Sequence, residues 1–92
     1  MSVYIIGYDL NKPDKDYPDL INAIKELSGT WWHNLDSTWL VVHDGDAGHI
    51  RNTLTPHIDS DDELLVSRLS GEAAWAGFSD SARKWLRDNL GK

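Results

Sequence analysis

The chain alternates short apolar runs with polar punctuation. Val3, Tyr4, Ile5, Ile6 and Tyr8 form a β-branched and aromatic run of strand length that ends on Asp9 and Leu10. A turn-rich Asn11-Lys12-Pro13-Asp14 follows, and Pro18 suits the first turn of a helix. Leu20, Ile21, Ile24 and Leu27 then recur at helical spacing, with Asn22, Lys25 and Glu26 on the other side and Gly29 placed to stop the helix. Thr30-Trp31-Trp32-His33 and Thr38-Trp39-Leu40-Val41-Val42-His43 read as a hairpin turning at Asn34-Leu35-Asp36-Ser37. Asp46 is placed to cap a short helix carrying Ala47, Ile50, Arg51 and Leu54, with Pro56 just beyond it. The acidic Asp59-Ser60-Asp61-Asp62 leads into a fourth strand, Glu63 to Leu69.

The order strand, helix, strand, strand, helix, strand predicts an α+β, ferredoxin-like βαββαβ domain over residues 1–70, with helices covering one face of an antiparallel four-stranded sheet. After Gly71 the character changes. Ala73, Ala74, Trp75, Gly77 and Phe78 precede Ser79, a candidate cap for a helix through Ala82, Trp85, Leu86 and Leu90. Residues 71–92 thus form a C-terminal extension with an amphipathic helix, expected to pack on the domain or on a dimer partner.

Composition narrows the chemistry. Ninety-two residues make one domain, small enough that self-association would help it bury apolar surface. The net charge of −6 opposes a broad, sequence-independent grip on phosphate backbones, and no basic run stands out. No cysteine is present, which removes disulfides, thiol catalysis and thiolate metal sites. No apolar run approaches the roughly 20 residues that span a bilayer, so a cytoplasmic protein without a membrane partner is expected.

Asp9 is the sharpest candidate for chemistry, because a carboxylate at the exit of an apolar strand is rigidly held yet reaches the surface. One carboxylate binds Mg²⁺ poorly, but a two-fold dimer that set two strand ends side by side would let two Asp9 side chains share one ion. The competing reading makes Asp9 a turn residue, or a partner of Lys12. His33 has two readings as well, a general base toward a ribose hydroxyl or a hydrogen-bonded edge residue. His43-Asp44-Gly45-Asp46-Ala47-Gly48-His49 gathers metal-ligating residue types, but the twelfth position of a calcium loop opening at Asp44 is Thr55, and from Asp59 it is Ser70, where such a loop needs a bidentate Glu. A turn and helix cap account for that segment. Adjacent Trp31 and Trp32 must point to opposite faces of their strand, one to the helix-covered core and one to the open face. There it either stacks bases or meets the tail or a dimer partner, for example at Trp75 or Phe78.

The strand ending Gly7-Tyr8-Asp9-Leu10, the Ser37-Thr38-Trp39-Leu40-Val41 strand and the approach Ile58-Asp59-Ser60-Asp61-Asp62-Glu63-Leu64-Leu65-Val66 resemble the small CRISPR-associated Cas-two proteins. Related chains include the virulence-associated D-type toxins and SinR-like phage and bacterial proteins. The likeness covers about residues 3 to 70. It implies a ferredoxin-like homodimer in which Asp9 binds a divalent metal, Mg²⁺, across the two-fold axis, and metal-dependent endonuclease cleavage of RNA or DNA, with Ser37 joining Asp9 and His33 among the candidate catalytic residues. The departures are an acidic surface, the Trp-rich hairpin and the Ala73 to Phe78 segment, which are closer to the SinR-like relatives. They leave two expectations side by side: a Cas-two-like nuclease or its inactive descendant, and a non-enzymatic module that binds a protein partner in a phage, toxin–antitoxin or CRISPR system.

Overall fold

In the computed structural model, which describes residues 2–11 and 17–90, strand β1 (Ser2–Asp9) alternates Tyr4, Ile6 and Tyr8 on one face with Val3, Ile5 and Gly7 on the other. The elements that follow are helix α1 (Pro18–Glu26), β2 (Trp31–Leu35), β3 (Thr38–His43), α2 (Ala47–Leu54), a 3₁₀ turn (Thr55–His57), β4 (Glu63–Arg68) and α3 (Asp80–Leu90). All pairings are antiparallel and the strands lie in the order β2-β3-β1-β4. The protein is therefore an α+β fold with a four-stranded antiparallel sheet and three helices, an arrangement compatible with the ferredoxin-like class. Among the described residues no helix is long and apolar enough to cross a membrane.

Each sheet face carries its own core, as strict alternation requires. On one, Tyr4, Ile6, Trp39 and Val41 meet Leu20, Ala23 and Ile24 of α1 and Ile50 and Leu54 of α2. On the other, Trp32 and Leu40 meet Ala82, Leu86 and Leu90 of α3, with Val3, Ile5, Trp75 and Phe78 packed around them. The extension is thus the second layer over the sheet. Ser79 accepts a hydrogen bond from the Ala82 amide (3.3 Å), and Gly77 and Phe78 adopt φ of +86° and +69°, a bend that lays the Phe78 ring edge-on against Trp32 at 5.1 Å. The expected contact between a hairpin tryptophan and the tail is this one.

Some boundaries differ from the sequence expectation. The Asn11-Lys12-Pro13-Asp14 turn and the pairing of Asp9 with Lys12 fall largely on residues 12–16, outside the described residues. Helix α1 ends at Glu26, short of Gly29, and the end of β3 meets it there: His43 Nδ1 donates to the Leu27 carbonyl at 2.9 Å, satisfying one of the acceptors a helix C-terminus leaves open. The hairpin turn is shorter than Asn34 to Ser37. Asn34 and Leu35 belong to β2, Leu35 pairs with Thr38, and Ser37 takes a left-handed φ of +55°. The extra length is absorbed by an irregularity in register between Trp32 and Leu35. Trp31 and Trp32 do face opposite ways, but Trp32 on the α3 side is the buried one. Trp31, on the side of α1 and α2, is 40% exposed.

Candidate functional site

The rim of the sheet where β1 and β4 meet holds Asp9. It is exposed, and its direct cross-strand partner is Glu63, so two carboxylates stand side by side on one face. Like charges directly opposite in a sheet repel, which costs stability unless a cation or a partner offsets it. The ion pairs found among the described residues, Arg83 with Asp80 and Lys84 with Asp88, involve neither. Glu63 is the functional candidate that sequence reasoning missed: only the register of β1 against β4 brings it to Asp9, across more than fifty residues of chain.

The other two sequence candidates are placed apart. Ser37 sits at the same end of the sheet as Asp9, where its carbonyl accepts the Tyr8 amide at 3.1 Å, but it is held as a turn residue. His33 lies on the opposite face. Its ring stacks on Trp39 at 3.9 Å and 5°, and its Nδ1 is 3.0 Å from the Thr38 carbonyl. A carbonyl only accepts, so Nδ1 carries the proton and Nε2 presents a lone pair. His33 therefore has the tautomer of a base, yet stands across the sheet from Asp9. Asp9 and His33 do not form one constellation.

Beside His33 runs a cleft of about 240 Å³ between β2 and the start of α3, lined by Trp31, Trp32, Asn34, Ser81 and Trp85. Two of its indole N–H groups are committed to the fold. Trp32 donates to the Ala82 carbonyl (3.2 Å) and Trp85 to the Thr30 hydroxyl (2.7 Å). Lys25 lies 5.0 Å over the Trp31 ring, a cation–π contact that shields its outer face. These aromatic groups fasten α3 and α1 to the hairpin.

The acidic loop before β4 supplies the one cluster with metal-like spacing among the described residues: Asp59, Asp61 and Asp62 can bring carboxylate oxygens within 4.8 Å of one another. The loop's own hydrogen bonds account for it. Asp62 Oδ1 accepts the Asn11 amide (2.9 Å), and its Oδ2 accepts the Asp59 amide (2.8 Å) and the Tyr17 hydroxyl (2.9 Å). The Asn11 side chain also donates to the Asp61 carbonyl. One carboxylate thus ties the exit of β1, the start of α1 and the entry to β4 together. Tyr17 enters this network from a left-handed backbone (φ 47°, ψ 52°) just before Pro18, where the right-handed region is disfavoured. Its phenol pKa is pushed up to about 12, first by burial, then by the hydrogen bond to Asp62 and the charges of Asp62 and Asp59. The unfolded chain ionises near pH 10 and so sheds this proton before the folded one does. The phenol's contribution is therefore complete below pH 10 and is lost as pH rises toward 12. Urea midpoints of wild type should fall more steeply over that interval than those of Tyr17→Phe. Parallel curves would remove Tyr17 from the account.

His43 and His49 stack at 5.4 Å and 7°, and His43 Nε2 is buried without a hydrogen-bond partner. Asp46 caps α2 as the sequence predicts, accepting the His49 amide at 2.7 Å. Gly45 is required here by space, since a β-carbon would come within 2.8 Å of His43 Nε2.

An apolar opening lies on the α3 face. A cleft of about 340 Å³ is floored by Ile5, Thr38 and Leu40 and walled by Leu35, Ala73, Ala74, Trp75 and Phe78. The register continues it across the whole sheet, because Leu35 pairs with Thr38, Thr38 with Gly7 and Gly7 with Leu65. The ends of this row are the two most exposed large apolar side chains among the described residues: Leu35 is 50% exposed and Leu65 67%. Nothing stands over Gly7, whose missing β-carbon would meet no atom within 4 Å. No family model, curated protein or solved structure matches the chain.

Proposed function

We propose that this chain is a protein-interaction module on a ferredoxin-like βαββαβ scaffold. The observation that carries the reading is the uncharged row Leu35, Thr38, Gly7, Leu65, which crosses all four strands, borders an apolar cleft and ends in two exposed leucines. Contiguous exposed apolar surface on a small domain is costly in water and marks contact with another macromolecule. The net charge of −6 turns that contact away from nucleic acid and toward protein. The expected setting is cytoplasmic, with a partner from the phage, toxin–antitoxin or CRISPR systems to which the resembling families belong. Purification from the native host should yield one defined protein partner, lost with Leu35→Asp while the circular dichroism spectrum is unchanged, and no retained RNA or DNA at low salt. Tight, salt-sensitive nucleic-acid binding would overturn it.

A second reading, a Cas-two-like Mg²⁺-dependent endonuclease, has its own support in Asp9 and Glu63, two exposed carboxylates at one strand end. Mg²⁺ commonly takes one or two carboxylates and keeps several waters, and a bound ion would supply an activated water for phosphodiester hydrolysis. Glu63 offers the second carboxylate within one chain, so a metal held here does not require a second Asp9. On this reading RNA or DNA is cleaved in Mg²⁺, and Asp9→Ala lowers the rate by at least about 100-fold, the size typical of losing a group that acts on the reacting centre. Equal cleavage by wild type and mutant would refute it.

A further inference from the structure

The outer edge of β4 is unpaired among the described residues, and its charged residues, Glu63 and Arg68, stand only at its two ends. Its sequence, Glu63-Leu64-Leu65-Val66-Ser67-Arg68, has no proline, no lysine and no bulge, and its centre is the 67%-exposed Leu65. The direction of its amides follows from one hydrogen bond. The Leu69 amide donates to the Val3 carbonyl at 2.9 Å, and in an antiparallel ladder successive residues turn their N–H and C=O to opposite sides. Leu65 and Ser67 therefore address β1. Leu64, Val66 and Arg68 present donors and acceptors to the open edge.

We infer that β4 pairs antiparallel with β4 of a second copy of this chain, with Leu65 on the two-fold axis, to make one continuous eight-stranded sheet. The inference deepens the interaction reading by naming one partner, and rests on it. A two-fold axis perpendicular to the sheet keeps each face on its own side, so only registers that oppose residues of the same face are open. Two of these centre on the strand. The axis at Val66 would set Leu65 against Ser67 and Leu64 against Arg68. The axis at Leu65 sets Leu65 against its counterpart, Leu64 against Val66 through their outward amides, and Arg68 across from Asp62. The second register matches apolar with apolar at its centre and keeps Leu64 away from the Arg68 charge, and so is favoured. It also separates the two Asp9 carboxylates by roughly 20 Å, from two-fold symmetry with strands about 4.8 Å apart and a rise of about 3.3 Å per residue. In this dimer no ion is shared between the two Asp9 side chains, and any metal at that rim rests on Asp9 and Glu63 of one chain.

Sedimentation equilibrium of the purified protein up to about 100 μM, which detects any dimer of micromolar Kd or tighter, should return a dimer mass. Leu65→Glu, at an exposed position, should leave the fold intact and weaken the dimer by at least about 100-fold, because like charges then face each other across the axis. Mixing Leu65→Glu with Leu65→Lys protein should restore a heterodimer. Leu65→Cys should cross-link to itself under mild oxidation, the opposed α-carbons standing about 4.5 Å apart, whereas Leu64→Cys should not. A monomer at every concentration, or a dimer untouched by Leu65→Glu, would overturn the edge pairing. Neither result touches the module reading, which is lost if Leu35→Asp leaves partner capture unchanged or if the protein binds nucleic acid tightly.

Discussion

Trp39→Ala is expected to lower the unfolding free energy by about 3–5 kcal/mol, the range for truncating a buried aromatic side chain. Trp39 is 1% exposed, and its ring joins the groups of one sheet face. His33 stacks on it at 3.9 Å, Trp31 leans against it at 5.3 Å, and its Nε1–H donates to the Tyr8 hydroxyl at 3.1 Å. Removing the indole opens a cavity between β2 and β1, leaves the Tyr8 hydroxyl without that donor and frees His33 from its stacking surface. A domain of this size has a total stability of about 5–10 kcal/mol, so the loss brings the protein close to half-unfolded at moderate urea. Urea titration followed by tryptophan fluorescence and by far-ultraviolet circular dichroism measures it. A loss under about 1 kcal/mol would show that the ring is peripheral to this core.

Leu86→Ala should be nearly as costly, about 2–5 kcal/mol for a buried leucine, but with a different pattern of failure. Leu86 belongs to the second core, where α3 lies on Trp32 and Leu40, and α3 has no part in the core that α1 and α2 build on the other face. The loss should therefore show first as detachment of α3. In native-state hydrogen exchange, α3 amides should lose protection well before those of β1 and β3, whose ladder is also covered from the opposite side. Equal loss of protection across α3 and β1 would mean that the two layers unfold as one unit, and that the extension beyond residue 70 is part of the same cooperative domain.

The elements were largely legible because each is encoded locally. The alternation of Tyr4, Ile6 and Tyr8 with Val3, Ile5 and Gly7 marks a strand with two faces. Asp46 and Ser79 do cap their helices, and the apolar spacing of Leu20, Ile24 and Leu27 locates α1. Less legible were features set by distant segments. The end of α1 before Gly29 is met by His43 from β3, and the shortened hairpin turn depends on how β2 registers against β3. The hydrogen bond that Tyr17 makes is unreadable from its neighbours, since its acceptor is an aspartate at position 62.

The candidate site divides in the same way. Asp9 could be singled out as a carboxylate at the end of an apolar strand, and the tryptophan pair as two opposite-facing rings. What these residues stand next to could not be read off. Asp9 faces Glu63, His33 lies on the other side of the sheet, Trp32 is sealed under α3 while Trp31 is 40% exposed, and Asp62 accepts hydrogen bonds from Asn11, Tyr17 and Asp59. By itself the sequence determines the secondary elements, their caps and the existence of two apolar sheet faces, because hydrogen-bond geometry and side-chain alternation act within a few residues. Only the tertiary structure decides which groups share a face and a level, because strand register arises from pairing between segments tens of residues apart, and register makes Leu35, Thr38, Gly7 and Leu65 one row.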